Sequence, residues 1–513
     1  MPEYLRAYIV ILFLFSISYW FINKIRPDFI SRIELKKWRN YWVLIASIAF
    51  LSPNIWLYLG ALAILLISVR LSPEDKTIFF LAILCASPLF HYTIPGFGVI
   101  NFLIKLNYTD TLVLFLLLPA YMAVQKEKAW SLNNFDKCVI AYAALISILA
   151  LTQTSITHGM RLVFNYSLAI ALPYLAFSKV IKHTEVLQKL CFALLFSLIP
   201  MALIGCFESL KYWKLYSSAF AHVLGDGNYL SYRLRGDSLR ANALYASPIV
   251  LGYAMVIGLG FLIYIKKYVT NINIIRFISL FFLASLYFTK ARGPWLGLAV
   301  LGILYIWSGP QKFSNLARLA LLTGLLAIPL SLTPVGNKVF EMLPFLSSEE
   351  SHEASTVNYR FRLIQQGWLV FQKSPILGTI NYRDTPEMEV MRQGQGIIDV
   401  VNSYIHITLS YGLTGLALFL FIFIGLLLSL QKTIKSLPSS ESELIHIGRV
   451  LFAVMGAIIF IIFTVSSIDF IPIFYWSIAG ICSAYLKICK NRLSDLSRDY
   501  ASTPLPQTQV SFG

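Results

Sequence analysis

Apolar runs long enough to cross a bilayer recur along most of this chain, and that recurrence leaves it few architectures. A helix needs ~17–25 residues to cross ~30 Å of hydrocarbon. Runs of about that length lie near 7–23, 78–94, 110–126, 136–153, 160–178, 187–206, 243–265, 273–289, 294–308, 315–333, 403–430, 448–467 and 471–487. The stretch 41–69 is split by Ser52-Pro53-Asn54 and reads either as one kinked span or as a short hairpin. Composition removes the alternative of several soluble domains. The chain is 57% hydrophobic and 13% charged, against ~45–50% and ~25% in soluble domains. The expected fold class is all-α: a polytopic integral membrane protein with about 12–15 transmembrane helices and one long, partly helical outside loop. The first run has no small-residue cleavage site after it and reads as a retained span rather than a signal peptide.

The net charge of +17 reads as topology rather than nucleic-acid binding, because basic residues flank spans on the cytoplasmic side. Lys126, Lys128 and Lys137 form one cluster, and Lys179, Lys182 and Lys189 another. Lys266, Lys267 and Arg276 follow, then Lys432, Lys435 and Arg449, then Lys487, Lys490, Arg492 and Arg498. The basic segment 24–40 belongs on the same side, which favours the hairpin reading of 41–69. Two long connections then fall outside. One is near 207–242; the other, 334–402, carries six basic and eight acidic residues. Expected divisions are transmembrane helices over 1–333, the large outside loop 334–402, C-terminal spans over 403–488 and a disordered cytoplasmic tail over 489–513. The six cysteines lie in or beside apolar runs without a CxxC, so neither a disulfide framework nor a zinc site is expected.

The informative residues are outside cations that break the positive-inside pattern. Lys290 and Arg292 sit in Thr289-Lys290-Ala291-Arg292-Gly293-Pro294-Trp295 between two spans. The plain reading is that both snorkel to the interface. The sharper reading is an anion clamp, with Pro294 starting a helix whose N-terminus favours anions and Arg292 gripping phosphate bidentately. Arg235 and Arg240 precede the next span, where a solvated turn is the plain alternative, and Arg161 opens another span, where an interfacial anchor is. In the long loop, Arg360 starts a helix-like stretch, and Glu389, Arg392, Asp399, Asn402 and His406 follow. Asp399 and Asn402 at i, i+3, and Asn402 and His406 at i, i+4, are expected to share one helical face.

At these residues the chain resembles the O-antigen ligase/O-antigen polymerase superfamily of bacterial membrane glycosyltransferases. Lys290-Ala-Arg292-Gly293-Pro294-Trp295 is similar to that family's Ser-Arg-Gly-x-Trp signature. Arg360 through Pro375 and Gly378 resembles its Arg-plus-helix-plus-Pro-x-x-Gly element. Asn402, nine residues and Gly412-Leu-Thr-Gly415 resemble its His-Asn-x9-Gly-x-x-Gly element, except that Val401 stands where the ligase branch has histidine. The resemblance implies transfer of a glycan from an undecaprenyl-diphosphate carrier to an acceptor sugar on the periplasmic face of the inner membrane. It implies no cofactor and no metal, with arginines stabilising the diphosphate leaving group. Candidate substrate-binding residues are Arg161, Arg235, Arg240, Lys290, Arg292, Arg360 and Arg392. Candidate catalytic residues are Glu389, Asp399, Asn402 and His406, with a carboxylate base slightly favoured. The expected partners are the lipid-linked donor, a saccharide or lipid-linked acceptor and the bilayer, with no nucleic acid. The alternative from another class is a transporter or flippase of polyprenyl-linked saccharide, which would place charges in broken helices near the bilayer midplane.

Overall fold

The computed structural model describes residues 1–98, 101–126, 131–225, 232, 234–235, 238–331, 352–393 and 396–502. Lys128, Arg233 and the start of the connection expected over 334–402 therefore lie outside the described residues. Within the described residues, the secondary structure is helical apart from two two-stranded ribbons. Nine of these helices are long and apolar enough to cross a membrane, and shorter apolar helices run over Ile55–Ser68, Ile272–Phe288 and Arg292–Trp307. The protein is an all-α polytopic membrane protein.

Helices α1 (Glu3–Lys24) and α2 (Arg32–Leu51) lead to α3 (Ile55–Ser68). The stretch 41–69 is thus two helices. The Asn54 side chain accepts from the backbone N–H groups of Trp56 and Leu57 at 3.1 and 3.0 Å, capping α3 and ending the run before it. An ion pair of 3.3 Å joins Glu34 to Lys189 and brings the basic segment 24–40 to the end of the bundle that holds the 179–189 cluster.

The run 78–94 departs from its expected single span. Helix α4 (Pro73–Ile83) stops early, and residues 84–90 are buried but not helical. Tyr108 Oη donates to Ile83 O at 2.7 Å, and Tyr58 Oη and Ser87 Oγ hydrogen-bond at 2.9 Å. Irregular backbone at such depth is tolerated because protein, not lipid, surrounds it. Hydropathy cannot register a break of this kind. The ribbon β1 (Tyr92–Pro95) and β2 (Phe102–Leu106) follows.

The next span joins α5 (Tyr108–Leu112) to α6 (Leu118–Gln125) through a π turn at Val113–Leu117. After α7 (Asn134–Gln153) the device recurs at Ser167–Ala171, between α8 (Ile156–Tyr166) and α9 (Leu172–Val180). Pro119 and Pro173 each follow their π turn by two residues. Proline clashes with the carbonyl four residues back, and the wider turn relieves the helix at that point.

Helix α10 (Thr184–Lys211) is the most enclosed span. It is followed by α11 (Ser217–Leu224), the ribbon β3 (Leu234–Arg235) and β4 (Ser238–Leu239), α12 (Pro248–Ile265), α13 (Ile272–Phe288), α14 (Arg292–Trp307) and α15 (Lys312–Ser331). The described part of the long loop contains α16 (His352–Lys373) and α17 (Pro386–Glu389). Helices α18 (Ser403–Ser436), α19 (Ser442–Thr464) and α20 (Ile471–Ser502) complete the chain. Where a disordered tail was expected from 489, α20 continues to Ser502.

Helix α14 packs along α19 at close range. A Cβ on Gly293 would lie 2.3 Å from Thr464 Oγ1, and one on Gly297 would lie 2.2 Å from Ile461 Cγ1. Small residues at such a crossing let two backbones approach in a membrane. That contact brings the start of α14 and the end of α19 together.

Candidate functional site

The site begins at the turn between α13 and α14. Thr289 Oγ1 donates to Leu286 O at 2.6 Å and accepts from Ala291 N at 3.2 Å, tying the turn to the end of α13. Lys290 takes a left-handed conformation with φ 51°, uncommon for a residue with a side chain. Helix α14 starts at Arg292, two residues before the expected Pro294, so Arg292 itself opens the helix. Pro294 is tolerated there because first-turn N–H groups have no partner within the helix.

The ribbon β3–β4 lies against this turn. Arg235 Nη1 donates to Lys290 O at 2.8 Å, Arg240 Nε to Thr289 O at 2.9 Å, and Ala241 N to Phe288 O at 3.0 Å. The two guanidiniums thus satisfy carbonyls at the C-terminal end of α13, where the helix dipole favours cations. A buried ion pair beneath them holds the segment. Glu208 and Lys214 are both fully buried, 3.8 Å apart. Glu208 accepts from Leu215 N at 3.2 Å, Ala243 N at 2.8 Å and Asn242 N at 3.4 Å. Lys214 Nζ donates to Arg240 O at 2.5 Å and to Asn242 Oδ1. Sequence reading missed this pair. Its only signal was a glutamate and a lysine six residues apart at the end of an apolar run.

Helix α16 adds Arg360, whose Nη2 donates to Thr464 O at 3.4 Å. Desolvation among its neighbours lowers the Arg360 pKa from its usual value; Asp399 raises it and Arg292 lowers it further. Asp399 and Arg292 thus both act on Arg360, which sits beside the α14–α19 contact. Asp399 Oδ1 accepts from Ser466 Oγ at 3.1 Å, and Tyr359 Oη donates to Asp399 O at 2.9 Å. Ser403 N and Oγ both donate to Val465 O, at 3.1 and 2.7 Å. The strand-like segment before α18 is thereby laced to the chain leaving α19.

The expected shared helical face of Asp399, Asn402 and His406 is corrected. Helix α18 starts at Ser403, and Asn402 is its N-cap, accepting from Tyr404 N at 2.8 Å and Ile405 N at 3.2 Å. Asp399 precedes the helix altogether. His406 lies within it, with Nδ1 3.0 Å from Tyr382 Oη and 3.4 Å from Ser410 Oγ. Burial raises the Tyr382 pKa, so the phenol stays protonated as His406's partner.

Other candidates sit elsewhere. Arg392 Nε and Nη2 grip both oxygens of Glu389 at 2.6 and 2.7 Å, and its Nη1 donates to Gly396 O at 2.7 Å. The fork pulls the Glu389 pKa below the usual carboxylate value, which opposes a role as base. Arg161 lies over the Phe102 ring, 3.8 Å from its centroid, and donates to Leu103 O at 3.0 Å and to Phe102 O. It clasps α8 to the first ribbon.

The two glycine motifs have a joint structural reason. Gly412 has φ 65° and breaks α18. A Cβ there would lie 2.2 Å from Ile376 O, and one on Gly378, with φ 68°, would lie 2.4 Å from Gly412 N. Leu413 N donates to Pro375 O at 2.9 Å, Thr414 N to Ile376 O at 3.2 Å and Thr379 N to Leu409 O at 2.7 Å. The Pro-x-x-Gly turn thus fills the hydrogen bonds that the helix break opens, fastening α16 to α18.

Among the described residues, no three His, Cys, Asp or Glu side chains gather as metal ligands. Residues 277–420 match the family model described as O-Antigen ligase. That segment takes in the α13–α14 turn, Arg360, Asp399, Asn402 and the glycine clasp, and it bears out the resemblance to the O-antigen ligase/polymerase superfamily. No curated protein matches the chain.

Proposed function

We propose, with that family match as premise, that this multi-pass bacterial membrane protein transfers a glycan from an undecaprenyl-diphosphate carrier to an acceptor sugar hydroxyl. The reading places the site on the periplasmic face of the inner membrane, with 334–402 as the outside loop. The observation that carries it is the meeting of three segments at the end of α19: Arg360 Nη2 donates to Thr464 O at 3.4 Å, Ser466 Oγ donates to Asp399 Oδ1 at 3.1 Å, and Gly293, next to Arg292, packs against Thr464. Arg292 and Arg360 take the donor diphosphate, with Lys290, Arg235 and Arg240 adding positive potential from the adjoining turn. Asp399 takes the proton from the acceptor hydroxyl. The acceptor oxygen bonds to the anomeric carbon, and the bond from that carbon to the phosphate oxygen breaks. The diphosphate leaves with the electron pair and the guanidiniums stabilise its charge, a contribution that needs no metal. Asn402 positions α18 through its cap, while Glu389, Arg392 and Arg161 serve the loop and the first ribbon.

The test is transfer by the purified protein from a polyprenyl-diphosphate-linked glycan to defined acceptors. Product on a second lipid-linked glycan identifies a polymerase, and product on a different acceptor identifies a ligase. Movement of the donor across vesicles with no transfer to any acceptor would replace this reading with a flippase.

A further inference from the structure

Helix α16 has two apolar faces, and only one is covered by protein. Leu363, Gly367 and Val370 are buried; Leu363 and Val370 belong to a small core with Val400 and Leu409, and Gly367 lies against Leu409 and Ile405. A second stripe, Phe361, Ile364 and Trp368, recurs at i, i+3 and i+7 and remains 63%, 54% and 56% exposed. The Trp368 ring reaches Phe371, with centroids 5.3 Å apart, which extends the stripe toward the Pro375–Leu377 turn. Arg362 and Lys373 are exposed on a third side of the helix, away from both the buried face and this stripe.

What covers this stripe is indicated by where it leads. Through the glycine clasp, the turn carrying the exposed Ile376 and Leu377 meets α18 at Leu413 and Thr414. Leu413 is the first of an exposed stripe down that span, continued by Phe421, Ile424 and Leu428. In a helix long and apolar enough to cross the membrane, such a stripe faces lipid. The apolar surface of α16 is therefore continuous with a lipid-facing surface. Aromatic residues such as Trp368 and Phe361 on an amphipathic helix suit the headgroup–acyl boundary.

We infer that α16 is an interfacial helix whose Phe361–Ile364–Trp368 stripe enters the outer leaflet of the bilayer beside α18. The inference rests on the membrane fold and not on the transfer reaction. Combined with the proposed function, it sets Arg360, on the same helix, at headgroup depth, where the diphosphate of a lipid carrier would lie.

The test uses the full chain in phosphatidylcholine–phosphatidylglycerol nanodiscs. Phe361→Cys, Ile364→Cys and Trp368→Cys are each labelled with an environment-sensitive fluorophore, with Arg362→Cys and Lys373→Cys as references and the parent protein as labelling blank. Lipids carrying a nitroxide high on the acyl chain should quench the three stripe positions several-fold more than the references, and aqueous iodide should show the reverse order. The difference in tryptophan emission between wild type and Trp368→Phe gives the same reading without a cysteine. Stripe positions quenched by iodide as strongly as the references would overturn the inference. So would positions shielded from both quenchers, which would mean that protein covers them. Because no reaction is read, loss of the proposed transfer activity leaves this result unaffected, and the reverse also holds.

Discussion

The two ends of the bundle handle positive charge differently. At the end where α10 and α19 begin, several cations meet carboxylates: Lys189 with Glu34 at 3.3 Å, Lys267 with Glu443 at 2.6 Å and Arg492 with Glu441 at 2.7 Å, while Arg449 donates to Tyr305 O at 3.1 Å. Lys179 is likewise paired with the buried Asp136. At the other end, Arg235, Arg240 and Arg360 donate to the backbone carbonyls of Lys290, Thr289 and Thr464. A carboxylate offsets a charge directly, whereas a carbonyl chiefly fixes the position of the guanidinium that it accepts from. The first arrangement staples helices together; the second holds guanidiniums in fixed positions, the kind of preorganisation that stabilises a developing anion. The buried Glu208–Lys214 pair belongs structurally to the first kind but sits beneath the second, where it holds the segment leading to Arg240.

The contrast predicts a graded mutational response. Arg292→Ala should lower transfer by about 10²–10³ at normal expression, the usual effect of losing one charge-stabilising contact. Arg292→Lys should recover little, because a point charge does not reproduce the guanidinium fork. Steady-state transfer rates on purified protein check both, and full activity in Arg292→Ala would make that residue an interfacial anchor.

Glu208→Gln should act on stability first. It leaves the Lys214 charge buried without its counter-ion, typically a cost of about 3–5 kcal/mol. Folded yield and thermal unfolding in detergent should fall accordingly. Adding Lys214→Met should recover part of the stability, since removing both charges avoids an uncompensated one.

The choice of base gives a third pattern. Asp399→Asn should lose most transfer, while Glu389→Gln, whose carboxylate serves Arg392, should keep it. His406→Ala should lose only what the Tyr382 contact contributes to packing. Loss in His406→Ala at wild-type stability, with Asp399→Asn active, would move the base to the imidazole.

Arg240→Ala should be milder than Arg292→Ala, because its guanidinium serves the ribbon and the end of α13 as well as the local potential. Least of all should follow from Lys267→Ala at the opposite end. That pair is partly exposed and worth ~0–1 kcal/mol, with transfer unchanged.

Much of this arrangement is legible in the sequence because hydropathy and span-flanking charge are local properties. The apolar runs locate most spans, and Ser52-Pro53-Asn54 marks the break between α2 and α3 through an asparagine that caps α3. Lys290, Arg292, Arg235 and Arg240 stand out as cations apart from the span-flanking basic clusters, and Arg360 through the family element. What escapes is set by tertiary contact. Residues 84–90 are as apolar as a span, and only burial against protein lets them be irregular. Asp399 and Asn402 have helical spacing, but the Asn402 side chain caps α18 and ends the helix there. Arg161 and Arg392 look like outside cations until the first proves to hold a ribbon and the second a glutamate. The meeting of Gly378 with Gly412 joins residues far apart in sequence, which no local pattern encodes.

The central claim is that Arg292, together with the carbonyl-held Arg235, Arg240 and Arg360, forms a diphosphate site. Its most direct test is the affinity of the purified protein for a polyprenyl diphosphate against the corresponding monophosphate, in wild type, Arg292→Ala and Lys267→Ala. The account predicts tighter binding of the diphosphate, a preference lost in Arg292→Ala and retained in Lys267→Ala. Equal affinity for the two lipids in wild type, or a diphosphate preference that survives Arg292→Ala, would contradict it.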